Sequence, residues 1–111
     1  MLNKKERLTK KEFDRFFSSG RRFHSPLFTL IHSQETSFHG AVVVGKKVFK
    51  RAVDRNRLRR RLYNILYRLS RESEQSGVYI ILTKPQAGMV SFDELKKALE
   101  SLVTQSLKTR T

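Results

Sequence analysis

The spacing of apolar residues changes several times along the chain, and each change marks an element. Phe13, Phe16 and Phe17 recur at i, i+3, i+4 behind Thr9 and Glu12, which have the spacing of a capping box. This predicts a short helix ending near residues 18–20, with Gly20 suited to close it. Beyond Pro26, residues 27–32 alternate with β-branched and aromatic side chains, and residues 40–45 (GAVVVG) form a second β-rich run. Both predict strands, and the polar stretch 33–39 between them is short enough for a hairpin connection. From Ala52 or Asp54 to about Ser73 the period turns helical. Leu58, Leu62, Ile65, Leu66 and Leu69 then fall within about 100° of one another around the axis, a stripe that needs a core to cover. Gly77 ends the polar segment ESEQSG, and VYIILT at 78–83 is apolar almost throughout, as in a strand covered on both faces. Residues 84–88 turn the chain with the help of Pro85. A second capping-box spacing, Ser91 with Glu94, opens a last helix carrying Phe92, Leu95, Leu99, Leu102 and Val103 on one side.

The order α, β, β, α, β, α, with room for an extra short strand near residues 21–23, makes this an α+β chain. Its 111 residues suffice for one domain with a modest core and are too few to divide comfortably into two. We therefore expect a single domain over 1–111, ordered over about 7–107 with loose tails. No internal repeat or low-complexity tract interrupts it.

Charge sharpens this picture. Lys plus Arg number 24 against 10 Asp plus Glu, a formal net charge of +14, which favours a polyanionic partner over an isolated folded monomer. Neither a spanning segment nor a signal-peptide pattern is visible. The longest apolar runs fall far short of the roughly 20 residues of a transmembrane helix, and MLNKKERLTKKEF lacks an apolar h-region. With no cysteine, disulfides and thiolate metal sites are excluded, and a reducing cytoplasm fits. The cations are also concentrated: Lys46, Lys47, Lys50, Arg51, Arg55, Arg57, Arg59, Arg60, Arg61, Arg68 and Arg71 crowd one stretch, opposed there only by Asp54. On a helical projection Asn56, Arg59, Arg60, Tyr63 and Tyr67 lie roughly opposite the leucine stripe, while Arg57, Arg61 and Arg68 flank it. Arginine suits phosphate because its planar fork donates two hydrogen bonds and its face stacks on bases. A solvated surface helix normally mixes both signs, and a membrane-surface helix would spend the leucine stripe that the strands require.

Catalytic signals are absent. His24, His32 and His39 lack metal-ligand spacing, and the paired acids (Glu12 with Asp14, Glu72 with Glu74, Asp93 with Glu94) read as caps and solvated charge. No glycine-rich phosphate loop of the Walker type occurs. Three rings in five residues span a wider arc than a short helix must bury. Phe13 or Phe17 is thus a candidate for stacking single-stranded bases, and pattern alone does not choose between that role and the core.

The stretch GKKVFKRAVDRNRLRRRL, residues 45–62, resembles the signature of the bacterial ribonuclease P protein family, in which a strand and two lysines lead into a helix bearing Arg-Asn-Arg, here Arg55, Asn56 and Arg57. Arg7, Leu8, Phe13, Phe17 and Gly20 are similar to the family's first helix, and the last strand with its Lys84-Pro85 turn is similar too. One departure is Tyr63, where many members carry a basic residue.

The resemblance implies an α+β sandwich whose mixed sheet is joined by a left-handed β-α-β crossover through the basic helix, as in a ribosomal-protein domain. Right-handed crossovers are the general rule. It further implies the RNA-binding subunit of an enzyme that removes the 5′ leader of precursor tRNA. The catalytic RNA performs the hydrolysis, with magnesium held mainly by RNA, and the protein alone is inactive. It binds no cofactor tightly and needs no other protein. Carried over by position, the RNA-facing set is Lys46, Lys47, Arg51, Arg55, Asn56, Arg57, Arg59 and Arg60, and the leader cleft takes Phe13, Phe17 and Tyr63. Whether Phe28 and Leu30 or Thr29 and Ile31 complete that cleft is left open by strand alternation. A ribosomal protein or general RNA chaperone is the rival reading.

Overall fold

The computed structural model describes residues 6–72 and 76–108. The Ser73 end of the expected basic helix, most of the polar segment before Gly77 and the last residues of the tail lie outside them. Among the described residues the chain forms helix α1 (Lys10–Ser19), strands β1 (Arg21–His24), β2 (Phe28–Ser33) and β3 (Phe38–Val43), helix α2 (Ala52–Glu72), strand β4 (Gly77–Thr83), a 3-10 turn (Pro85–Met89) and helix α3 (Phe92–Lys108).

Local chemistry accounts for the helix starts. The Glu12 N–H donates to Thr9 Oγ1 at 3.2 Å and the Thr9 N–H donates to Glu12 Oε1 at 2.9 Å, so both halves of the predicted box form. The Thr9 backbone bond holds the Glu12 carboxyl below its ordinary range. This support is therefore present at neutral pH and lost as the pH falls through the depressed value. At α3 the Glu94 N–H donates to Ser91 Oγ at 3.2 Å. Gly20 ends α1 in an extended conformation rather than a left-handed one. What Gly20 supplies is room, since a Cβ there would lie 2.5 Å from Ile31 Cγ2 and 2.9 Å from the Phe16 carbonyl oxygen.

The strands form one sheet in the order β1-β2-β4-β3, antiparallel except for the β3–β4 pair, so the expected hairpin across 33–39 does not form: β4 lies between β2 and β3 and pairs with both. The extra short strand is β1. Its single buried residue, Phe23, explains why its sequence signal is faint. The second β-rich run is displaced. Pairing begins at Phe38, opposite Gly77, and stops at Val43, opposite Leu82. Val44 is buried beyond the ladder and Gly45 already belongs to a turn, its carbonyl accepting from the Val48 N–H at 3.1 Å.

Two cores lie on the two faces of the sheet. Phe23, Phe28, Leu30, Val42, Tyr79 and Ile81 meet the leucine stripe of α2 and Leu95, Leu99, Leu102 and Val103 of α3. On the other face Ile31, Ala41, Val78 and Ile80 pack with Phe16 of α1. β4 is central and covered on both sides, with Val78, Ile80 and Ile81 at 0% exposure, as its unbroken apolar run predicts.

The free edge of β3 is guarded. Glu6 O accepts from the Gly40 N–H at 2.8 Å, Arg7 bridges Gly40 in parallel, and the Tyr63 hydroxyl accepts from the Val42 N–H at 3.2 Å. Arg71 near the end of α2 grips Glu6 through Nη1–Oε2 at 2.7 Å and Nη2–Oε1 at 3.0 Å, which ties the N-terminal segment to the crossover helix. That pairing raises the Arg71 guanidinium further above its ordinary value.

Gly77 enters β4 with φ +109°, where a Cβ would stand 2.9 Å from both His32 Cε1 and the Ser33 carbonyl oxygen. Gly77→Ala is expected to lower unfolding stability by about 1–3 kcal/mol in urea or thermal denaturation.

Candidate nucleic-acid interface

The basic segment leaves β3 through an exposed turn bearing Lys46 and Lys47, passes Lys50 and Arg51, and enters α2. Its three signature side chains point three ways. Arg55 folds back on the loop, Nη1 donating to the Phe49 carbonyl at 3.0 Å and the Lys50 carbonyl at 2.6 Å. Asn56 lies exposed on the flank toward β3, where its Oδ1 accepts from Arg59 Nη1 at 2.6 Å. Arg57 turns to the α3 flank and lines a cleft with Phe49, Asp54, Leu58 and Arg61. The expected RNA-facing set is thus divided. Lys46, Lys47 and Arg51 are exposed on the loop, Arg59 and Arg60 lie on the β3 side of α2, and Arg55 is engaged with backbone carbonyls of that loop. A cation that satisfies two carbonyls of the preceding loop fixes where the loop's lysines stand.

The face of the sheet that carries α1 has three rungs in register. Ser33, Val78 and His39 form one, Arg22, Ile31, Ile80 and Ala41 the next, and His24, Thr29, Leu82 and Val43 the third. The α1 core cluster draws on the first two, through Val78, Ile31, Ile80 and Ala41. The third lies at the end where β3 and β4 hand the chain to the Lys46–Lys47 turn and to Lys84, and there Val43 is 40% exposed. Of the two pairs that strand alternation left open, Phe28 and Leu30 are fully buried under α2 and α3 whereas Thr29 and Ile31 face α1.

Phe16 is the core residue of α1, at 7% exposure. Phe13 and Phe17 sit half-buried beside it, their rings stacked at 5.6 Å. Arg22 of β1 completes this corner. Its guanidinium lies 4.7 Å over the Phe17 ring and Nη2 donates to the Phe17 carbonyl at 3.2 Å. Nothing in the sequence singles out Arg22, His24 or Leu82 for this face. Strand pairing brings them to this face of the sheet, and the short β1, with one apolar position, carries no signal for the placement of Arg22 and His24.

Tyr63 is not brought to the ring pair. It packs against the core on the α2 side of the sheet, and its hydroxyl is bound to the edge of β3. Among the described residues no three of His, Cys, Asp or Glu converge as metal ligands, and no helix is long and apolar enough to cross a membrane.

Fold and surface together define a small single-domain α+β protein that presents an arginine-crowded crossover helix beside a partly open sheet flanked by stacked rings. The family model described as Ribonuclease P matches residues 2–106. The chain belongs to the ribonuclease P protein family. It is 35% identical over 98 residues to the ribonuclease P protein component of Nitratiruptor sp., covering 85% of this chain and 88% of that one. It is 31% identical over 102 residues to that of Listeria monocytogenes, covering 88% and 85%. Among solved structures it is similar to the RNase P protein of Staphylococcus aureus, with TM-score 0.79, 17% identity, and 91% and 94% of the two chains covered. The Thermotoga maritima RNase P protein gives TM-score 0.72 at 19% identity, with 87% and 94% covered.

The different settings of Arg55 and Arg57 separate in stability. Arg55→Ala is expected to cost about 1–3 kcal/mol, because two charge-assisted bonds to backbone are lost. Arg57→Ala should stay within about 0.5 kcal/mol of the unaltered chain in the same urea titration.

Proposed function

We propose that the chain is the RNA-binding subunit of ribonuclease P, assisting a catalytic RNA in removing the 5′ leader from precursor tRNA. The observation that carries this reading is the trough on the α1 face. Stacked Phe13 and Phe17 lie on it, the rung His24, Thr29, Leu82 and Val43 forms its open end, and β3 leads from that end into the turn bearing Lys46 and Lys47. Aromatic faces accept any base and lysines follow a phosphate chain, which suits a leader of variable sequence. Relatives over nearly the whole length are named ribonuclease P protein components.

In this reading the two polyanions meet on opposite sides of the loop that Arg55 secures. The catalytic RNA lies along Asn56, Arg59 and Arg60 with Arg51, and the leader enters the trough. The chain's part is to lower the repulsion between the RNAs and to orient the leader. Hydrolysis belongs to the RNA, and magnesium is held by RNA phosphates. Tyr63 contributes by holding the β3 edge against α2 rather than by stacking on the leader. The setting is the cytoplasm.

Added to a bacterial ribonuclease P RNA, the chain should strengthen binding of precursor tRNA over mature tRNA, most strongly at low salt. An equal gain for both substrates would refute the trough. Phe17→Ala should reduce the precursor-to-mature preference while leaving affinity for the RNA subunit nearly intact. Arg59→Ala should weaken RNA-subunit binding and lower its logarithmic salt slope by about 0.7–0.9, one phosphate contact. Filter binding between low and moderate salt reads both.

A further inference from the structure

A second cleft lies on the other flank of α2 and is used by nothing described above. Its walls are the first turns of α2, through Arg57, Leu58 and Arg61, and the turn into α3, through Gly88 and Val90, with Phe49 between them. The volume is about 320 Å³, room for one nucleotide base and part of its sugar. Gly88 keeps it open beside Phe49, since a Cβ there would approach the Phe49 ring at 3.2 Å and the Val48 carbonyl at 3.1 Å.

The rim is unusual for so charged a protein. Exposed large apolar side chains among the described residues are Val43, Val53, Met89 and Phe92, at 40%, 54%, 85% and 42%. The last three adjoin residues that line this cleft, Val53 and Met89 in sequence and Phe92 through a ring contact. Val53 precedes Asp54 and stands one helical turn before Arg57, Met89 lies between Gly88 and Val90, and the Phe92 ring has the Arg61 guanidinium 5.7 Å above it. Arg57 and Arg61 make no hydrogen bond or ion pair among the described residues, unlike Arg55, Arg59 and Arg71. Two guanidiniums without a hydrogen-bond or ion-pair partner among the described residues, one of them over the Phe92 ring, stand against the single carboxylate of Asp54.

An apolar floor, an exposed ring at the edge and two arginine forks recognise one chemistry: an unpaired nucleotide, its base against Phe49 and Val90 and reaching the Phe92 ring beside Arg61, its phosphate on the arginines. We propose that the α2–α3 cleft is a second single-stranded RNA site, with Arg61 and Phe92 as contact residues that the family signature does not include. The inference rests on the chain being an RNA binder but not on the leader trough. It also accounts for the splitting of the Arg-Asn-Arg triplet. Asn56 serves one flank of the helix and Arg57 the other, so RNA engages α2 from both sides.

The test uses the full chain with a bacterial ribonuclease P RNA and, separately, a precursor tRNA, each carrying 4-thiouridine at unpaired positions. Irradiation should cross-link one of them to Met89 or Phe92, and the RNA that does so identifies the source of the nucleotide. Phe92→Ala should weaken binding of that RNA about tenfold, the loss of one stacked base, without changing the salt slope. Phe92→Tyr should restore it. Arg61→Gln should lower the slope by about 0.7–0.9. Circular dichroism melts of both variants must match the unaltered chain for the losses to count, and Phe92→Tyr, which keeps the ring, supplies the comparison if Phe92→Ala melts early. Cross-links confined to the α1 trough, with Phe92→Ala and Arg61→Gln within twofold while Arg59→Ala still weakens binding, would overturn the second site and leave the RNA-binding reading standing. Failure of the unaltered chain to bind either RNA would overturn that reading instead. Sedimentation showing a dimer that Met89→Glu dissociates, with RNA binding unaffected, would assign the rim to a second copy of the chain and also refute the proposal.

Discussion

β4 is hydrogen-bonded on both sides, antiparallel to β2 and parallel to β3, and buried on both faces. The parallel half of that pairing is the constraint on which the rest depends. A hairpin cannot join two neighbouring parallel strands, so the chain must leave the end of β3, cross the sheet and return to the start of β4. α2 is that crossover. The hydrophobic stripe that holds it on the sheet (Leu58, Leu62, Ile65 and Leu66) also fixes which way its arginines point. The position of the basic surface is thus a consequence of strand order.

The same constraint creates an exposed edge, and the chain closes it with polar contacts. The N-terminal segment lies along β3 at Gly40, Tyr63 binds the Val42 N–H, and Arg71 holds Glu6 against the end of α2. The surface ion pair by itself contributes modestly. Its effect is geometric, because the segment that it anchors leads directly into α1 and sets where Phe13 and Phe17 lie over the opposite face. The trough and the basic helix are consequently linked through one strand, β3, whose loop carries Lys46 and Lys47 and whose open rung ends in Val43.

Much of this was legible in the residues. The three helices, the two-faced burial of β4, both Ser/Thr caps and the leucine stripe follow from local spacing, which depends only on the period of each element. The resemblance around Arg55, Asn56 and Arg57 pointed to the family. Less legible were β1, with one buried residue, and the limits of β3, which are set by where β4 stops offering partners rather than by where β-branched residues stop.

What the sequence by itself determined is which side chains are core and which segment is basic, because apolar periodicity and charge are written locally. Only the tertiary structure decided what each cation and ring does. Arg55 is turned onto its own loop, Asn56 and Arg57 are parted across the helix, Tyr63 is spent on an edge strand, and Arg22 is laid over Phe17. Those assignments come from contacts between residues joined by strand register and helix crossing. Such contacts depend on how whole elements pack and leave no trace in local spacing.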